Sequence, residues 1–440
     1  MKQPNIIFYF SDQQRWDTMG CYGQKLNVTP VLDALAQEGA LFENAFTCQP
    51  VCGPARACLQ TGLYATQVGV HTNHRILPEG FDTLARRLIS GGYETAYVGK
   101  WHLASCKGSS YRTEAVPPER RGGYEYWMAA DALEWTSHGY NGHVFDGDMQ
   151  RHDFVGHRID CINAYAIDYL HQYAAGSREK PFFLFISQLD PHHQNDHGVY
   201  EGPDGSKKRF AGYEAPGDLV GKEGDWRENY PDYLGQCNLL DQNVGKLMDT
   251  LEAMGLKDDT VLIYSSDHGS HFKTRNAEYK RSCEDGCLHV PLIIWGGGFQ
   301  GAGRIGEMAS LIDIPASILD IAGLEIPPHY QGRSLLRLVK GEEKDWPDAV
   351  YAQISEAENA RTVRTKQWKY CVASPTFDID EAFPKLYREE KLYDLVNDPF
   401  ENNNLIADPR FAKVREEMRK RLVQFMKKAG EPEAEILPFA

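Results

Sequence analysis

Five short, almost unbroken apolar runs constrain this chain most: Ile6–Phe10, Thr95–Val98, Phe182–Ile186, Val261–Tyr264 and Pro291–Trp295. A run that stays apolar at consecutive positions fits a strand buried on both faces, as in a parallel sheet covered by helices. Segments with apolar residues at helical spacing lie between them: Pro30–Glu38, stopped by Gly39; Asp82–Ser90, stopped by Gly91-Gly92; Ile159–Tyr173; and Tyr233–Met254. The alternation predicts an α/β fold with a large mixed, mostly parallel sheet sandwiched by helices. Four of the runs lead directly into acids, histidines or a lysine. Ile6–Phe10 leads to Asp12-Gln13, Thr95–Val98 to Lys100 and His102, Phe182–Ile186 to Asp190-Pro191-His192-His193, and Val261–Tyr264 to Asp267-His268. Ligands bind outside the carboxyl ends of strands in open α/β sheets, so four such ends predict one assembled site.

Composition narrows the class. Of 440 residues, 42% are hydrophobic and 25% charged, which excludes a disordered, collagen-like or coiled-coil protein. The net charge of −15 argues against a nucleic-acid partner, because an acidic chain repels phosphate backbones. The apolar stretch at Ile6–Phe10 is too short for a secretory signal and no run is long enough to cross a membrane, so no membrane partner and a cytoplasmic location are expected. Ten cysteines in so long a chain read as mostly reduced thiols. The polar stretch Gly341–Pro347 marks a boundary, giving a catalytic domain over 1–345 and a smaller C-terminal subdomain over 346–440. In the latter, Ala349–Ile354, Arg361–Thr365 and Trp368–Val372 read as a short antiparallel sheet, and a charged helix runs from about Pro409 to Lys428.

The sharpest signal is Cys52-Gly53-Pro54-Ala55-Arg56, with Thr61-Gly62 shortly after it. Pro54 favours a first helical turn, which sets Cys52 just before a helix amino terminus. Free N–H groups and the helix dipole stabilise an anion there, and Arg56 lies one turn on. A buried, inert cysteine is the competing reading.

This segment resembles the type I, formylglycine-dependent sulfatase signature Cys-x-Pro-x-Arg, and the resemblance extends over most of the chain. Ser11-Asp12-Gln13 is similar to that family's first metal-binding strand end, and Gly99-Lys100-Trp101-His102 to its sulfate-contacting lysine and histidine. Asp190-Pro191-His192 resembles its Pro-His element, and Ser266-Asp267-His268-Gly269, with Lys280 downstream, its second metal segment. Leu392-Tyr393-Asp394-Leu395 resembles its C-terminal ending. The resemblance implies an alkaline-phosphatase-like fold and a Cys52 oxidised to formylglycine by a sulfatase-maturing enzyme. It also implies one divalent cation at Asp12, Gln13, residue 52, Asp267 and His268. Arg56, Lys100 and Lys280 would gather positive charge around a sulfate ester. His192 or Lys280 would protonate the leaving oxygen, and His102 would take the proton that lets sulfate depart.

Two positions depart from the common pattern. Gln13 and His268 stand where many sulfatases carry Asp and Asn, a variation shared with phosphonate monoester hydrolases and choline sulfatases. Calcium is the family's usual ion, while a nitrogen ligand moves the site towards Mn²⁺, with Mg²⁺ a further candidate. Asn73, His74 and Arg75, in a loop after the Cys52 helix, are candidate substrate-binding residues, with Arg75 suited to a carboxylate or second sulfate. The expected activity is hydrolysis of a sulfate ester of a small, imported sulfated carbohydrate. The alternatives are a phosphonate or phosphate ester hydrolase of the same superfamily, or a non-catalytic anion binder with Cys52 unmodified.

Overall fold

A computed structural model describes residues 3–106 and 108–439. The main sheet contains β1 (Asn5–Ser11), β2 (Ala40–Phe46), β3 (Glu94–Lys100), β4 (Tyr126–Ala130), β5 (Ser137–His138), β6 (Asn141–Asp146), β7 (Arg151–Val155), β8 (Phe182–Ser187), β9 (Thr260–Ser266), β10 (Leu292–Trp295) and β11 (Gly303–Ser310). Their order is β11-β2-β10-β9-β1-β8-β3-β4-β6-β5, with β7 paired to β6. The centre, from β9 through β1, β8 and β3 to β4, is parallel. Antiparallel pairs flank it: β10 opposes β9 and β2, and β6 opposes β4, β5 and β7. All five apolar runs are strands of this sheet.

Period-two alternation explains why those runs are apolar throughout. Ile6, Phe8 and Phe10 of β1 enter one core, packed with Ala57, Leu59, Leu88 and Ile318 of helices on that face. Ile7 and Tyr9 enter the other, with Leu32, Leu35, Ile162, Leu240 and Val244. Both faces are therefore covered. Helix Pro30–Glu38 has the expected bounds, and Arg158–Ala175 extends the expected Ile159–Tyr173 slightly. The helix expected from Asp82 begins at Leu84, because the Thr83 hydroxyl accepts from the Arg86 N–H and caps it. The helix expected from Tyr233 begins earlier, at Trp226, with Pro231 inside it. Proline removes one helical hydrogen bond. Here Trp226, Tyr230 and Tyr233 bury their rings with Tyr200 and Phe272, and that packing offsets the loss.

The second sheet comes after the largely exposed Gly341–Pro347 stretch. It comprises β12 (Ala349–Ile354), β13 (Ala360–Thr365), β14 (Trp368–Ala373), β15 (Leu386–Asp394) and β16 (Glu435–Leu437), antiparallel except for the last pair. Helix Ala412–Lys428 lays Met418, Leu422 and Met426 against it. Tyr351, Val363 and Leu422 join the same apolar cluster as Phe42 and Ala45 of the main sheet, so the two sheets share a core. All ten cysteines are free. No helix among the described residues is long and apolar enough to cross a membrane.

Candidate active site

Strands β9, β1, β8 and β3 are consecutive and parallel, so their carboxyl ends meet at one edge of the sheet. Ser11 and Ser266 are partners in register, which sets the next residues, Asp12 and Asp267, side by side. Gly99 precedes Lys100 with φ at 106°, and a Cβ there would lie 2.0 Å from the Ser187 carbonyl oxygen. Only glycine lets β3 close on β8 at that point.

Cys52 is the first residue of helix Cys52–Thr61, one position further in than expected, with Val51 as the extended cap residue. Its sulfur is 2.8 Å from Lys280 Nζ, 3.3 Å from His268 Nε2 and 3.4 Å from Asp12 Oδ1. The residue is 1% exposed. Burial, reinforced by Asp12, pushes its thiol up to about 12.

Around it the charges interlock. Asp12 Oδ2 accepts from Lys100 Nζ at 2.8 Å and from Arg56 Nη2 at 3.1 Å. Arg56 Nη1 also donates to Ser187 Oγ at 2.6 Å and to the Lys100 carbonyl at 3.0 Å. Burial opposes the charge on Asp12, but Lys100, His192, Lys280 and Arg56 outweigh it and hold its carboxyl well below the usual range. Asp267 is pushed up to about 7 by burial and by the neighbouring Asp12. Its Oδ1 accepts from the Gln13 N–H at 2.9 Å, while its buried Oδ2 has no hydrogen-bond partner among the described residues. Burial and Lys280 keep His268 neutral. Its Nδ1 donates to the Gly269 carbonyl at 2.8 Å, which leaves the Nε2 lone pair facing the carboxylates.

This donor set fits a divalent cation. Ligand atoms of Asp12, Cys52, Asp267 and His268 all lie within 4.8 Å of one another, and the orphaned Asp267 oxygen supplies an unused acceptor. Gln13 is at the same place in the chain, at φ 70°, but its side chain has other partners. The amide donates to Tyr200 OH at 2.7 Å and Ser270 Oγ at 3.3 Å, and the carbonyl oxygen is 3.2 Å from His193 Nδ1.

Beside Cys52, Lys280 Nζ is 3.0 Å from His192 Nε2 and 3.2 Å from His268 Nε2. Lys280 is buried, not the solvated lysine that its basic stretch could suggest. His192 Nδ1 donates to the His193 carbonyl at 2.5 Å. His102 comes two residues after Lys100, at φ 59°, in a loop pinned by Asp131, whose carboxylate accepts from the N–H groups of Leu103, Ala104 and Ser105 at 2.8–2.9 Å. Burial and Lys100 bring the His102 imidazole down to about 3, and its Nδ1 is buried with no hydrogen-bond partner among the described residues.

Of the three loop candidates, Asn73 is brought to the site. Its Oδ1 accepts at 2.9 Å from the N–H of Gly53, next to Cys52, and its own N–H donates to Glu356 Oε1 at 2.5 Å. His74 is exposed, and Arg75 pairs with Asp380 at 2.9 Å on the surface. Three further buried participants are not apparent from the sequence. Ser187 could have been found as the carboxyl end of β8. Glu134, 3.3 Å from Lys100 Nζ, and Glu356, which arrives from the second sheet and pairs with Arg281 at 2.5 Å, carry no local signal.

The sulfatase family profile matches residues 4–324, and a profile described as N-sulphoglucosamine sulphohydrolase, C-terminal, matches residues 278–428. The chain is 29% identical over 450 residues to an ulvan-active sulfatase of Formosa agariphila, covering 98% of this chain and 82% of that protein. It is 26% identical over 505 residues to an N-acetylglucosamine-6-O-sulfatase of Bacteroides thetaiotaomicron, covering 97% and 87%. A protein solved in complex with its substrate D-glucosamine-2-N,6-O-disulfate shares the fold, with a TM-score of 0.79 at 24% identity over 98% of each chain. With the family profile covering most of its length, the chain belongs to the sulfatases, sulfuric ester hydrolases of the alkaline-phosphatase-like superfamily.

Proposed function

We propose that this sulfatase hydrolyses a sulfate ester on a small carbohydrate, or on the end of a larger one, at residue 52 after conversion of Cys52 to formylglycine. The observation that carries the proposal is the position of Cys52, at a helix amino terminus within 3.4 Å of Lys280, His268 and Asp12. The relatives whose names specify ulvan and N-acetylglucosamine 6-O-sulfate support a carbohydrate substrate. The near-complete burial of residue 52 suits a small or terminal group over the middle of a polymer.

As its hydrate, formylglycine supplies a hydroxyl nucleophile and a second hydroxyl through which the aldehyde is regenerated. A divalent cation held by Asp12, Asp267 and His268, beside residue 52, would supply Lewis acidity to the sulfate ester. The oxygen ligands suit Ca²⁺, and the His268 nitrogen also suits Mn²⁺. The remaining work falls to the chain's own groups. Arg56 and Lys100, locked on Asp12, hold fixed positive charge where the anionic ester sits. Lys280 Nζ lies between residue 52 and His192 and can hand a proton to the leaving oxygen, with neutral His192 behind it. His102 is neutral, with a ring nitrogen that has no hydrogen-bond partner among the described residues and can accept a proton from the residue 52 hydrate. Every residue of helix Cys52–Thr61 is buried, so the maturing enzyme must meet this segment before the chain folds.

The test is a substrate panel on enzyme whose Cys52 conversion has been verified by peptide mass spectrometry. Sulfated mono- and disaccharides should be turned over with a higher kcat/KM than an aryl sulfate or a phosphonate diester. Preference for the phosphonate diester would make the chain a phosphonate hydrolase. Binding without turnover in fully converted enzyme would make it an anion binder.

A further inference from the structure

A second cluster of metal-binding groups lies outside the active site, where the loop after His192-His193 meets β5 and β6. His138 Nε2 is 3.5 Å and His197 Nε2 3.9 Å from the same oxygen, Asp196 Oδ2. Ligand atoms bonded at about 2.1 Å to a tetrahedral ion sit about 3.4 Å apart, and one ligand atom from each of these three side chains lies within 4.8 Å of the other two, so modest side-chain rotations bring them onto one ion. We propose that His138, Asp196 and His197 form a binding site for a divalent transition-metal ion of the Zn²⁺ class, separate from the active-site cation.

The surrounding groups are arranged as they are behind a metal ligand. The two imidazoles stack with centroids 4.4 Å apart and 28° between planes, and both present Nε2 to Asp196. His197 Nδ1 donates to Glu201 Oε1 at 2.7 Å, which fixes the tautomer with its Nε2 lone pair free. His138 Nδ1 points to the same Glu201 oxygen from 3.7 Å. Glu201 is itself anchored, its Oε2 accepting from the Gly139 N–H at 2.5 Å. Asp196 Oδ1 accepts from Gln194 Nε2 at 3.0 Å, which turns Oδ2 towards the imidazoles. Two nitrogen donors with one carboxylate select a borderline ion over Ca²⁺ or Mg²⁺, which take oxygen. The side chains are 38–49% exposed, so the remaining coordination positions face solvent. A bound ion ties the 194–201 loop to the β5–β6 hairpin. Through Gln194, which also donates to the carbonyls of Glu134 and Ser137, it steadies the chain two residues beyond His192.

The test is calorimetric titration of Zn²⁺ into the enzyme as purified, with Co²⁺ absorption as a second probe of the ligand set. Wild type should bind one equivalent that His138→Ala/His197→Ala does not. Asp196→Asn should weaken it at least tenfold, and sulfatase turnover should stay within twofold of wild type in both variants. Unchanged stoichiometry and affinity in the double variant would overturn the proposal. So would Zn²⁺ uptake that disappears with Asp267→Ala and survives in His138→Ala/His197→Ala. If wild type takes up no Zn²⁺ beyond the double variant, the stacked histidines are ion-paired side chains and the site does not exist.

Discussion

Asp12, Cys52, Asp267 and His268 form one group of metal-ligand chemistry, and His138, Asp196 and His197 form another, built in the opposite way. The first is buried at the carboxyl edge of four central strands and is interleaved with the buried cations Arg56, Lys100 and Lys280. The second is half exposed, on a short strand and a loop, and its carboxylates are braced by Gln194 and a backbone N–H. In a low-dielectric site each charge acts strongly on its neighbours and each unmatched charge is costly. The buried group is therefore fixed to the sheet and matched charge for charge, as stabilising a reacting anion requires. Near water the penalties are small, and three groups at the right spacing suffice to hold an ion.

The largest contrast expected is in turnover. Asp267→Ala should lose the tightly held cation and lower turnover at least about 1000-fold, whereas His138→Ala should change it less than twofold. Metal analysis beside kinetics decides this, and an Asp267→Ala protein that keeps both metal and activity would dissolve the distinction. Stability should separate the two environments next. Lys100→Ala strands the buried Glu134 carboxylate, leaves Asp12 with Arg56 alone of its two hydrogen-bonded cations, and should cost about 3–5 kcal/mol in denaturant unfolding. Breaking the Lys25–Glu214 pair, 72% and 71% exposed, should cost less than about 1 kcal/mol.

A pH series sharpens the same point. Burial opposes the charge of Glu134, but Lys100 and His102 bring its carboxyl from 4.5 down to about 2. A depressed carboxyl contributes stability that is complete above 4.5 and disappears as pH falls towards 2, here on the order of 3 kcal/mol. The stability gap between wild type and Glu134→Gln should therefore narrow across that window, and a gap that stays constant would mean that Glu134 acts through packing alone. The smallest effect belongs to Arg75. Its exposed pair with Asp380 should contribute under about 1 kcal/mol to stability. We propose that Arg75 exchanges Asp380 for an anionic group of the substrate, so that Arg75→Ala should raise KM for a sulfated sugar severalfold while leaving hydrolysis of a small aryl sulfate unchanged. Equal effects on both substrates would remove Arg75 from recognition.

The legibility of the sequence divides along the same line. The doubly buried strands announced themselves, because both faces of β1, β8 and β9 meet apolar cores and every position must be apolar. β15 did not: its Arg388-Glu389-Glu390-Lys391 stretch looks solvated, yet Glu389 is buried and accepts from Tyr370 OH at 3.0 Å. Site residues just beyond a strand or within the Cys52 motif were legible, since chain position alone puts them at the edge. Glu134 and Glu356 were not, because tertiary packing brings them from elements with no apolar signature of their own. Gln13 was legible as a position and not as a set of contacts, its amide being committed to Tyr200 and Ser270.

The central claim is that residue 52, converted from cysteine, carries the reaction. The measurement is turnover of a sulfated sugar by enzyme with verified conversion, set against Cys52→Ala prepared in parallel. The account predicts at least about a 10⁵-fold loss of kcat with the circular dichroism spectrum unchanged, as removal of a nucleophile produces. Turnover by Cys52→Ala within tenfold of the converted enzyme would contradict it.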